Sequence, residues 1–331
     1  MLRGFLRRQW FLFALLACLA LGFLFPQADA ILNPGNITRT ALIVALFLLM
    51  GLTLPSESIR AGLADWRLHL YLQGFLFLLT PAYFLLTTLP LRGSLNPGLL
   101  AGILALSCLP TTIASCIVFT QLAGGNVTGT LFNAAVSNIL GVFLSPLLLS
   151  ALLRGTGRFI PASQLPAVLR DLALQVLIPI AAGQFLRRLL RPTVERRRAS
   201  LATLANMLLL GVILFTFARS AGAPGFLAQL RGALGLFLYL AVSHLALVAL
   251  AYWGARALRF SPANVISVLF AAPQKTLALG VPLLATFFAR SPEALGLVVL
   301  PVLFYHPWQL LVAGLLRSAI GAGLLTGARR T

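Results

Sequence analysis

The chain has 331 residues, of which 60% are hydrophobic and 9% charged, with a formal net charge of +19. Apolar runs of about 20 residues, the length that spans a bilayer core, recur from end to end and exclude a soluble globular fold. In a soluble protein that charge would point to nucleic acid, but here the arginines sit at the ends of apolar runs, where they orient a chain in the membrane; the lipid bilayer is the expected partner, and nucleic acid is not.

Taken in order, the apolar stretches divide at Pro, Gly and Arg clusters into ten predicted spans: 10–25, 38–54, 68–90, 98–122, 126–153, 166–187, 201–220, 230–255, 262–288 and 295–325. The first admits two readings. Arg3, Arg7 and Arg8 before the run Trp10 to Phe25, with Ala28-Asp29-Ala30 after it, fit a cleaved leader, and the run also fits a first spanning helix. The second is adopted because it completes a five-plus-five arrangement. With the N-terminus inside, the inside loops hold sixteen arginines and the outside loops eight, Arg39 and Arg219 among them. The six arginines between 187 and 198 are the strongest anchor, so both termini are expected on the cytoplasmic side of the inner membrane.

The fourth span carries Leu109-Pro110-Thr111-Thr112-Ile113-Ala114-Ser115, and the ninth carries Ala272-Pro273-Gln274-Lys275-Thr276-Leu277-Ala278. Pro110 and Pro273 lie 163 residues apart, and Pro146 and Pro307, in Ser145-Pro146-Leu147 and His306-Pro307-Trp308, lie 161 apart. Five spans is an odd number, so matching segments of the halves 10–153 and 166–325 run in opposite directions through the membrane. The expected fold is therefore an all-α membrane protein, one transporter domain over 1–331, with ten transmembrane helices in an inverted five-helix repeat whose helices 4 and 9 are broken.

A proline removes a backbone donor and frees a carbonyl one turn earlier, and such groups are tolerated in a membrane only where they line a cavity or bind something. Thr111, Thr112, Ser115 and Cys116 stand beside the first break, and Gln274, Lys275 and Thr276 beside the second. Thr120, Gln121, Asn126, Thr128, Thr130, Asn133, Ser137 and Asn138 continue the polar run. Singly, such residues are commonly interhelical hydrogen-bonding groups; clustered at both breaks they mark a substrate or ion site.

Lys275 is the only lysine in the chain, and an ionised side chain within a span is costly without a partner. The six acids, Asp29, Glu57, Asp65, Asp171, Glu195 and Glu293, fall in predicted loops or span ends, so its partner is either helix-end carbonyls or an anionic substrate. His244 and His306 lie within spans and serve either packing or proton transfer. Cys18, Cys108 and Cys116 lack the spacing of a disulfide or zinc site, and no HExxH, P-loop or serine-histidine-acid set is present, so neither a cofactor nor an enzymatic activity is expected.

The stretch Cys108 to Cys116, followed by Ala123-Gly124-Gly125-Asn126-Val127, resembles the bile acid:sodium symporter family, solute carrier family 10, over essentially the whole chain. That resemblance implies crossing of the broken helices, with spans 1, 2, 6 and 7 forming a panel and 3–5 and 8–10 a core. It implies that Ser115, Thr130 and Gln274 stand at sodium ligands and Gln73 at a third-helix glutamine, while Ala134 stands in place of a hydroxyl ligand. Cys116 and Lys275 stand where asparagines are usual, and Phe270 stands where the family has a glutamate. The run Gln274 to Gly280 is similar to the divergent branch that includes the seventh vertebrate member and its bacterial homologues. The implied activity is symporter-like, alternating-access transport of a small organic solute, anionic or amphipathic, with sodium or a proton as coupling ion. A channel or a non-transporting regulator of ion flux on the same fold is the alternative.

Overall fold

The computed structural model describes residues 10–54, 65–154, 165–222, 233–289 and 292–321. The expectations placed on Arg3, Arg7, Arg8, Glu57, Arg60, Arg158, Arg231, Arg290, Arg329 and Arg330 lie outside those residues. Among the described residues every regular element is a helix. In chain order these are α1 (Trp10–Leu24), α2 (Gln27–Leu32), α3 (Ile37–Thr53), α4 (Trp66–Leu91), α5 (Pro97–Cys108), α6 (Ala114–Leu122) and α7 (Val127–Leu153). There follow α8 (Pro166–Arg196), α9 (Arg198–Ala221), α10 (Ala233–Ala257), α11 (Pro262–Ala271), α12 (Leu277–Phe287) and α13 (Pro292–Gly321). By length and composition seven of them, α3, α4, α7, α8, α9, α10 and α13, can cross a membrane, and α1, α5, α11 and α12 are shorter apolar helices.

The predicted fourth span is two helices, α5 and α6, parted around Pro110, and the predicted ninth is α11 and α12, parted around Pro273. Local chemistry sets the starts. Asn96 Oδ1 accepts the Gly98 N–H at 2.8 Å, Asn126 Oδ1 accepts that of Gly129 at 2.8 Å, and Ser261 Oγ accepts that of Asn264 at 3.3 Å. Each cap satisfies a first-turn donor with no helical partner, and Pro97 and Pro262 occupy positions where no N–H is needed.

One expectation needs adjusting. The sixth span was placed at 166–187, yet α8 continues through the arginine cluster to Arg196. Arginine and leucine are good helix formers, so the cluster marks where hydrophobicity ends and not where the helix does. Arg187 is buried and donates to Leu52 O at 3.2 Å and Glu195 Oε1 at 2.7 Å.

The chain divides into two compact units. The first comprises Met1–Leu54, Thr156–Arg231 and Val281–Val299. Within it, α3 and α8 meet backbone to backbone at Gly51 and Gly183: a Cβ on Gly51 would sit 2.2 Å from Ile180 O, and one on Gly183 2.2 Å from Leu48 O. Small residues permit this approach, and Gln184 Nε2 then caps the end of α3 by donating to Gly51 O at 2.6 Å and Leu54 O at 3.0 Å. The second unit comprises Pro55–Gly155, Gly232–Gly280 and Leu300–Thr331, and it holds both breaks. An asparagine ladder ties three helix starts together there: Asn126 Nδ2 donates to Asn264 Oδ1 at 2.8 Å, and Asn264 Nδ2 to Asp65 Oδ2 at 2.5 Å.

Candidate functional site

Five consecutive carbonyls at the first break, Ser107 to Thr111, lie at or beyond the end of α5, and each finds a donor from a distant part of the chain. Ser107 O and Leu109 O accept from Lys275 Nζ at 2.9 and 2.8 Å. Cys108 O accepts from Ser145 Oγ at 2.7 Å, Pro110 O from the Thr276 N–H at 2.9 Å, and Thr111 O from Asn138 Nδ2 at 2.9 Å. The two breaks therefore hydrogen-bond each other directly. A buried backbone carbonyl without a partner costs about 1–3 kcal/mol, so this set of donors is what permits a non-helical stretch here.

The third acceptor of Lys275 comes from α4, and its origin is covalent. Pro81 has no N–H, and the turn before it, Phe75–Leu79, widens to a π-helix in which the Thr80 N–H bonds to Phe75 O. In that register the carbonyl of Leu76 faces residue 81, a proline, and has no helical donor. Lys275 Nζ donates to it at 3.3 Å. An ammonium has three donors and no acceptor, and three carbonyls receive them, two at the C-terminal, partly negative end of α5. Lys275 is 1% exposed.

The second break is held from α13. Gln309 grips the Lys275 backbone twice, Oε1 accepting from its N–H at 2.7 Å and Nε2 donating to its carbonyl at 2.8 Å. Nε2 also lies 3.1 Å from His306 Nδ1. Tyr305 donates its hydroxyl to Pro273 O at 2.7 Å. The side chain of Gln274 closes a triangle with the first break: Thr112 Oγ1 donates to Gln274 Oε1 at 2.6 Å, and Ser115 Oγ lies 2.6 Å from Thr112 Oγ1 and 3.0 Å from Gln274 Oε1.

Thr112, Ser115, Gln274, Lys275, Thr276, Pro110 and Pro273 thus form one assembly. Thr111 and Cys116 border this assembly, Thr111 through its carbonyl, and Thr130, Asn133 and Gln73 are placed outside it. Thr130 is buried against Thr120, with 3.3 Å between the hydroxyls. Asn133 bonds Gln73, whose Nε2 donates to its Oδ1 at 3.1 Å, and lies 2.9 Å from His69 Nδ1 through Nδ2. Cys116 points back into its own turn, toward Thr112 O at 2.6 Å. Phe270, in the position of the family glutamate, is buried and stacked on Phe119 with 5.7 Å between ring centroids. His244 is buried edge-on against the Tyr305 ring, 5.0 Å between centroids.

Tyr305 and Gln309 gave no signal at the sequence level beyond a polar group inside an apolar span, which for Gln309, two residues after Pro307, was a usable one. Among the described residues of the second unit, the buried side-chain polar atoms without a hydrogen-bond partner are Thr111 Oγ1, Asn138 Oδ1, Gln73 Oε1, His244 Nδ1 and Trp308 Nε1. The first two belong to neighbouring residues, since Asn138 Nδ2 bonds the Thr111 carbonyl. Together they offer a donor and an acceptor beside the first break.

The model of the SBF-like CPA transporter family matches residues 9–321. The chain belongs to that family. Its relatives include sodium/bile acid cotransporter 7 of Danio rerio, 29% identical over 320 residues that cover 95% of this chain and 94% of the relative. PA2026 of Pseudomonas aeruginosa is 37% identical over 273 residues, 82% of this chain and 80% of the relative. YfeH of Escherichia coli is 32% identical over 311 residues, 92% and 91% of the two chains. The resemblance read from the first break is borne out: the protein is a multi-pass membrane transporter and not an enzyme.

Proposed function

We propose that the protein carries a small organic solute, amphipathic or anionic, across the inner membrane by alternating access, with no sodium bound at the crossed breaks. The observation that carries this reading is Lys275. Its ammonium is fixed by three carbonyls at 2.8, 2.9 and 3.3 Å, a tethered cation at the place where the breaks meet. Sodium needs several oxygens, normally with a negative one among them. Here the oxygens of Ser115, Thr112 and Gln274 are bonded to one another, and the Phe270–Phe119 stack fills the place of a carboxylate. The residues present do not fit a sodium ion.

The seven long helices, α1 and the two broken pairs make ten spans, which supports the inverted repeat with both termini on one side, and the arginine-rich loops assign that side to the cytoplasm. Because all three Lys275 protons are engaged, the solute's polar end is assigned instead to Thr111 Oγ1 and Asn138 Oδ1. The name of the zebrafish relative specifies sodium and bile acid; the solute class is carried over from it, and the ion is not.

The test is uptake of a panel of organic anions into proteoliposomes, with sodium against choline. Equal uptake in both, lost in Asn138→Ala, is expected. A saturable sodium-dependent component abolished by Ser115→Ala would overturn the sodium-free reading, and ion currents without solute flux would make the protein a channel.

A further inference from the structure

In the first unit a second buried cation is treated quite differently. Arg39, in the first turn of α3, is 2% exposed, and its Nη1 is buried with no hydrogen-bond partner. Its backbone is well held: its N–H donates to Asn33 Oδ1 at 2.9 Å, and Asn33 Nδ2 donates to Asp29 Oδ1 at 2.6 Å. Asparagine, not the guanidinium, therefore engages that carboxylate. Arg219, on the last turn of α9, donates to Asn36 Oδ1.

Two contacts fix the register of α3 against α9. A Cβ on Gly211 would meet Leu42 Cδ1 at 2.9 Å, and Arg219 meets Asn36. The helices run antiparallel, so Arg39, midway between residues 36 and 42, stands level with residue 215, one turn from Arg219, and the two guanidiniums are electrostatic neighbours. With Asp29 they make a net positive set.

A buried guanidinium N–H without an acceptor costs a sizeable part of the stability margin of a folded chain. Snorkelling to the bilayer surface does not relieve it, since the side chain is enclosed by protein. We propose that Arg39 and Arg219 form a binding site for a phosphate-type oxyanion. Guanidinium forks match tetrahedral oxyanions. The phosphate belongs either to a lipid headgroup or to a free anion, and the site shares no residue with those assigned to the solute.

Thermal unfolding of the purified protein in an uncharged detergent tests the site. Inorganic phosphate is titrated against chloride at matched ionic strength in one arm, and phosphatidylglycerol against phosphatidylcholine in mixed micelles in the other. Stabilisation by phosphate itself identifies the free anion, and stabilisation by phosphatidylglycerol alone identifies the headgroup. In either case Arg39→Met and Arg219→Met should each raise the half-maximal concentration about tenfold, while a Gln184→Ala control leaves it unchanged. Arg39→Met should also fold at least as well as the parent without ligand, because it removes an uncompensated charge. No stabilisation in either arm, or stabilisation that persists in both variants, overturns the proposal.

Discussion

The hydrogen-bonded breaks of the second unit and the α3–α9 end of the first each bury one cation, and the contrast shows how to read such a group. Lys275 lies where Pro81 and Pro110 have removed helical donors, and it answers three carbonyls that no helix can satisfy. Arg39 lies on an intact helix that needs no extra donor, and its Nη1 answers nothing. The first is part of the scaffold. The second waits for a ligand.

Lys275→Met gives the largest expected effect. It strands the carbonyls of Leu76, Ser107 and Leu109 at about 1–3 kcal/mol each, a large share of the roughly 5–15 kcal/mol margin of a fold, so the yield of monodisperse protein should fall sharply. If Lys275→Met proves as stable as the parent, the ammonium is not structural and the contrast collapses. Gln309→Leu comes next, because it releases both backbone groups of Lys275; a loss of about 2–4 kcal/mol, visible as a lower midpoint in thermal unfolding, is expected.

Gly141→Ala probes the same region by sterics. A Cβ there would sit 2.6 Å from Pro110 Cγ, and the ring cannot turn away. A cost of about 1–3 kcal/mol should appear in the unfolding midpoint. Tyr305→Phe removes one donor to Pro273 O and should cost about 1 kcal/mol, leaving solute uptake close to that of the parent. Arg39→Met is expected at the bottom of the series, neutral or stabilising without ligand; a loss as large as that of Gln309→Leu would show that Arg39 is structural after all.

Much of this was legible in the chain itself. The apolar runs gave the spans, and Pro110 and Pro273 located both breaks to within a few residues, because proline acts locally and independently of its surroundings. Lys275 stood out as the only lysine, and helix-end carbonyls were one of its two expected partners. What could not be read was which carbonyls. Leu76 is an acceptor only because a π turn precedes Pro81, and nothing in the periodicity of Phe75–Leu79 announces that turn. Ser145, Tyr305 and Gln309 act on residues 32 to 37 positions away, across helix contacts that a linear reading does not contain. Arg39 and Arg219 were read as loop charges that orient the chain, because their partners are set by packing between residues 183 positions apart. The polar residues at the breaks are more fully occupied with one another than the expectation of an open site allowed.

The wide separation of Lys275 from its acceptors has a consequence for biosynthesis. The carbonyls of Leu109 and Leu76 emerge 166 and 199 residues ahead of the lysine that satisfies them. At 5–20 residues per second, the nascent chain carries the unmet break for roughly 10–30 s. During that interval α5 and α6 have no low-energy place in the hydrocarbon core, so the insertion machinery must shelter them or leave them hydrated. The first break becomes a stable membrane element only when the far end of the polypeptide arrives.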